Sequence, residues 1–237
     1  MVVVGSGDVE NYNPATNIEI VEIYDSREES WRIAGHLPKH VRIKCGSEIV
    51  FCGGFFYVSA VNRQHPRAEG VVGFSLQDGN SFFVPLPELP ELADYREVRP
   101  CLFVCGSRLL MAGFVVQPGL AKREVIIWEI QKMGAVGSSS STAWKEITRI
   151  PPHLLKDFKT SLLSIKLLEF KGVGNYVCIR ASDADLQVLT YNLTDNSWNW
   201  LPTCPMIQYF QKTRAKTYCP LVTEMYSFEP RLDMKLG

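Results

Sequence analysis

Val21–Pro38 reads VEIYDSREESWRIAGHLP, and Val188–Pro205 reads VLTYNLTDNSWNWLPTCP. In both, a short β-type run ends on a tyrosine, a polar turn follows, a tryptophan stands seven residues after the tyrosine, and a proline seven residues after the tryptophan. The aromatic–proline pair occurs twice more, at Phe83 and Pro90 and at Trp144 and Pro151. A run with its own aromatic precedes each of these, Val71–Phe74 and Val125–Trp128, with the two aromatics 9 and 16 residues apart. The longer gap holds Gly134–Thr142, GAVGSSSST, a flexible loop by composition. Such recurrence marks a repeat architecture.

Each unit extends upstream. An apolar run ending in small residues stands at Val2–Gly7 (VVVGSG), Ile49–Gly54 (IVFCGG) and Leu109–Gly113 (LLMAG), and a fourth run, Tyr176–Ala181 (YVCIRA), lacks the glycines. Glycine there lets a buried strand bulge or approach a neighbour closely, so Gly53, Gly54 and Gly113 read as one repeated position. Val41–Cys45, Cys101–Cys105 and Ser164–Phe170 supply a further strand before these runs. The anchors of the repeat are Tyr24, Trp31, Pro38, Phe74, Phe83, Pro90, Trp128, Trp144, Pro151, Tyr191, Trp198 and Pro205. Tyr24, Phe74, Trp128 and Tyr191 follow one another by 50, 54 and 63 residues, against about 50 for a kelch-type blade. The expected fold is all-β, a kelch-type β-propeller with about four visible four-stranded blades in an incomplete ring. Its units cover 1–38, 39–90, 91–151 and 152–205, with a closing strand segment in 206–237. Pro151–Leu163 reads equally as a short amphipathic helix or as a connecting loop.

Composition bounds the function. The 237 residues are 46% hydrophobic and 21% charged, as in an ordinary globular chain. Lys plus Arg, 25, cancels Asp plus Glu, 25, so no global basic field gathers nucleic acid or anionic lipid. No apolar run reaches the length of a spanning helix, and Met1–Gly7 is too short for a signal-peptide core. The expectation is a soluble protein of the cytoplasm, the nucleus or both. Seven cysteines, never spaced C-x-x-C, suit reduced thiols, and the sequon at Asn192 reads as an unmodified turn.

Catalytic and cofactor patterns fail one by one. Val2–Gly7 begins like a dinucleotide site, but Glu10 stands at the third glycine position and Asn11–Pro14 follows where a helix should open. No serine has a nucleophile-elbow flank. His36 and His40 are four apart with Pro38 between them, which breaks the helix a metal pair would need; His65 and His153 lie in connections. Asp183 and Asp185 sit where two strands should turn. No enzyme activity, cofactor or metal is expected.

The units VEIYDSREESWRIAGHLP and VLTYNLTDNSWNWLPTCP resemble the third and fourth strands of kelch repeats. The series REVIIWEIQ…AWKEITRIPP, LLEFKGVGNYVCIRAS and the ending YSFEPRLDMKL is similar to the carboxy-terminal half of plant F-box/kelch-repeat proteins, and the resemblance covers nearly the whole chain. It implies a substrate-recognition propeller that, in full-length form, recruits a protein client to an SCF-type E3 ubiquitin ligase, with a Skp-type adaptor and cullin reached only through an F-box. Two departures accompany it: no F-box precedes Met1, and the chain opens on what reads as a second strand. Closure into four blades by Leu221–Phe228 is the alternative to the incomplete ring, which we prefer because the family's length argues for more blades. A kelch scaffold outside ubiquitination is a further reading. Copper oxidases share the scaffold, but their Tyr/Tyr/His/His copper set has no counterpart here, and fold alone confers no activity. Recognition falls to the loops between second and third strands, where Arg63, Arg67, Lys122 and Arg123 would meet an acidic or phosphorylated client.

Overall fold

A computed structural model describes residues 2–6, 19–44, 47–65, 68–87, 100–117, 122–131, 144–157, 168–181 and 187–202. Among the described residues the chain is all-β apart from one short helix, and the strands form four separate antiparallel sheets. Sheet A holds β1 (Val2–Ser6), β2 (Glu19–Asp25) and β3 (Ser30–His36) in that order. Sheet B holds β4 (Val41–Ile43), β5 (Val50–Cys52), β6 (Phe55–Asn62), β7 (Glu69–Ser75) and β8 (Ser81–Pro85); β4 and β5 pair with opposite ends of β6, as one first strand interrupted in its middle. Sheet C runs β9 (Cys101–Cys105), β10 (Arg108–Gln117), β11 (Lys122–Ile130), β12 (Trp144–Arg149). Sheet D runs β13 (Leu168–Val173), β14 (Tyr176–Ala181), β15 (Val188–Asn192), β16 (Ser197–Trp200). The helix α1, Pro152–Asp157, opens on a proline and buries Leu155; residues 158–163 of the expected 151–163 segment lie outside the described residues.

The residues divide into two compact units, Met1–Ala93 with Ile130–Lys145, and Asp94–Glu129 with Glu146–Gly237. In the first, sheet A packs on sheet B through Val21, Leu37, Val41, Phe56, Val72 and Phe74. In the second, sheets C and D share a core that includes Phe103, Leu110, Ile127, Phe170, Ile179 and Tyr191. Sheets B and C are buried on both faces. In B, Phe56, Val58 and Phe74 line one face and Tyr57, Val71 and Val84 the other; in C, Leu110, Ala112 and Ile127 line one and Leu109, Met111, Ile126 and Trp128 the other.

One hairpin is built three times. Four-residue loops, 26–29, 76–79 and 193–196, join the last two strands of sheets A, B and D, the second of them closed by Ser75 N to Asn80 O at 2.8 Å just before β8. The last loop residue, Glu29, Gly79 or Asn196, takes a left-handed φ of 48°, 71° or 57°. The residue before each loop caps it by accepting the N–H two positions on: Asp25 from Arg27 at 2.8 Å, Ser75 from Gln77 at 3.4 Å, Asn192 from Thr194 at 2.9 Å. The two turns at this end of a sheet are also bonded alike, Leu76 N to Gly54 O at 3.2 Å and Leu193 N to Asn175 O at 2.9 Å.

The register differs from the sequence expectation at the glycines. Gly53 and Gly54, with φ of 59° and 84°, form the two-residue turn between β5 and β6, a conformation that side chains with a Cβ resist. Their counterparts are Gly106–Ser107 and Gly174–Asn175, which join the first two strands of sheets C and D. Gly113 instead lies inside β10, paired with Ile126, and the fourth unit has not lost its turn glycine.

The prolines differ too. The last strand of every sheet ends on a backbone bond of 2.9 Å from a Leu or Ile to the strand before it: Leu37 N to Glu19 O, Leu86 N to Glu69 O, Ile150 N to Val125 O and Leu201 N to Val188 O. A proline follows each, Pro38, Pro87, Pro151 and Pro202, and having no N–H it stops the ladder. Pro90 and Pro205 lie outside the described residues.

Candidate functional site

The connections after β6 and before β11 carry the four cations read as partner-binding. Arg63 follows β6 directly, where its guanidinium is tied into its own unit. Nε donates to the Val41 carbonyl at 3.1 Å, and the outer nitrogen pairs with Glu19 Oε1 at 3.1 Å. Its backbone N–H donates to His40 O at 2.6 Å. Both side chains are mostly buried, 16% and 10% exposed, so Arg63 clamps β4 and β2 to the end of β6. Lys122 and Arg123 open β11 with their backbones opposite Gln117 and Val116. Arg67 lies outside the described residues. Of the four side chains, only that of Arg63 is among those described.

Other groups complete the charge pattern. Lys44 Nζ meets Glu69 Oε1 at 2.7 Å beside the Arg63 connection. In sheet C, Arg108 holds Glu129 through two bonds of 2.7 Å, which raise its pKa further above the ordinary arginine value. Arg149 grips Glu146 through Nε and reaches Glu124 at 2.7 Å, and those carboxylates likewise push its pKa up. Arg180, buried in sheet D, pairs with Glu169 on the adjacent strand at 2.7 Å. Sequence reasoning passed over Glu19, Lys44 and Glu69; the signal was a charged residue at a strand end, where a side chain can reach across a sheet edge.

The anchors do not form one class. Tyr24 lies across from Trp31 with ring centroids 5.3 Å apart, and Tyr191 from Trp198 at 4.6 Å. Phe74 instead faces Ser81 and stacks on Phe56 at 5.1 Å, while Phe83 lies across from Val72. Trp128 is buried, Trp144 and Trp198 are half-buried, and Trp31 is 48% exposed. The three tryptophan anchors that precede a proline by seven residues, Trp31, Trp144 and Trp198, are therefore not equally buried.

No disulfide joins Cys52, Cys101, Cys105 and Cys178 to one another; Cys45, Cys204 and Cys219 lie outside the described residues. Cys105 is buried with its sulfur 3.3 Å from Gly174 O and 3.2 Å from Tyr176 O, and burial pushes the Cys178 thiol up. Among the described residues no three His, Cys, Asp or Glu side chains gather as a metal site, and no helix is long and apolar enough to cross a membrane.

No family model matches the chain, and no curated protein matches it. The functional reading rests on its own residues and geometry.

Proposed function

We propose that the chain is a kelch-type propeller portion acting as a protein-recognition module, the client-binding part of an F-box/kelch-repeat protein that delivers its client to an SCF-type ubiquitin ligase in the cytoplasm or nucleus. The repetition of one antiparallel meander, closed by the same hairpin and ended by the same Leu/Ile–Pro stop, supports the architectural half. The functional half is supported by the ordered kelch anchors and the FEPRL ending. In this reading the chain catalyses nothing. It holds a client near a transfer machinery carried by other subunits, and proximity supplies the rate. A Skp-type adaptor and cullin join only through an F-box, and neither nucleic acid nor membrane is a partner.

The test uses the tagged chain in plant cells. Proteins it retains should be short-lived substrates whose half-life lengthens when the chain is overexpressed, because it competes for them with a ligase-joined receptor. Retained proteins whose turnover and ubiquitination do not change would overturn the ubiquitin part, and retention of no protein at all would overturn recognition itself.

A further inference from the structure

We draw no further inference here: the strongest candidate, the exposed apolar patch that Trp31 and Ile33 form beside Tyr24 on the β2–β3 hairpin of sheet A, carries nothing because nothing in the structure shows what covers it.

Discussion

Replacing Gly172 with alanine tests the closest approach between sheets C and D. Gly172 lies in β13 opposite Val177. A methyl group there would strike the carbonyl oxygen of Val104 and sit 2.6 Å from Cys105 Cα, both in β9. Carbon atoms pack at about 3.5–4.0 Å, so β13 and β9 would have to part by about 1 Å. The partners are backbone, which cannot swing aside as a side-chain tip can. A gap of that size forfeits about a quarter to a half of the attraction across it. Applied to Phe103, Phe170 and Val177, each worth about 1.5–3 kcal/mol when buried, the loss is about 1–4 kcal/mol. That range covers the usual cost of overpacking, about 1–3 kcal/mol. Gly174 is the control: its φ is +55° but nothing lies within 4 Å of an added methyl, so Gly174→Ala pays only the left-handed backbone penalty of about 1 kcal/mol. In urea melts and calorimetry Gly172→Ala should be the less stable variant, with a midpoint about 6–12 °C below wild type if the loss reaches 3 kcal/mol. Equal midpoints for the two variants, or Gly172→Ala within about 0.5 kcal/mol of wild type, would refute the close approach.

Three further outcomes follow from the same geometry. Arg63→Ala should lose about 3 kcal/mol because it leaves Glu19 buried without its cation, and adding Glu19→Gln should cost less than the sum of the single changes in a double-mutant cycle of urea melts. Trp198→Ala should lose about 3–5 kcal/mol, since the ring packs on Tyr191 and the C–D core, whereas the half-exposed Trp31→Ala should lose about 1 kcal/mol; equal losses would show that the two positions are equivalent after all. Burial, reinforced by Cys52, pushes the Tyr57 phenol up to about 12. The unfolded chain then releases this proton first, so the stabilisation is complete below about pH 10 and is lost as pH rises through the folded value. Tyr57→Phe should therefore show a shallower alkaline fall between about pH 10 and 12, and an unchanged fall would remove Tyr57 as its source.

What was legible in the sequence is what depends on local chemistry. Runs such as Val71–Phe74 and Val188–Tyr191 announce strands because β-branched and aromatic residues fit a pleated, buried surface. The polar stretch between Tyr191 and Trp198 announces a turn because Asn and Asp cap their own backbone. Register was less legible. Counting seven residues from aromatic to proline works for Trp31 and Trp144, which stand six residues before the last ladder donors Leu37 and Ile150, and misleads for Phe83 and Trp198, which stand three before Leu86 and Leu201. The better signal was the Leu/Ile–Pro pair itself, where the loss of a donor ends the strand. Aligning Gly53 with Gly113 failed for a related reason: a glycine demanded by a two-residue turn and one inside a strand look alike in sequence. At the candidate site, the basic character of Arg63 was legible but its partner was not, because Glu19 is distant in the chain and meets it only once sheet A packs on sheet B.

The pairing of the arginines narrows where an acidic client can be read. Arg63, Arg108, Arg149 and Arg180 each hold a carboxylate within 3.1 Å, and three of the four do so between neighbouring strands of one sheet. The exposed pair among them, Arg149 with Glu146, adds little stability, about 0–1 kcal/mol. A guanidinium already bridging a carboxylate must nevertheless give it up before it can grip a phosphate, so these cations fix strands rather than advertise charge. The neutral balance of 25 cations and 25 anions points the same way, since the chain has no surplus positive charge to steer a guest from a distance. An acidic or phosphorylated segment would therefore have to compete with a carboxylate already held by each of these four arginines.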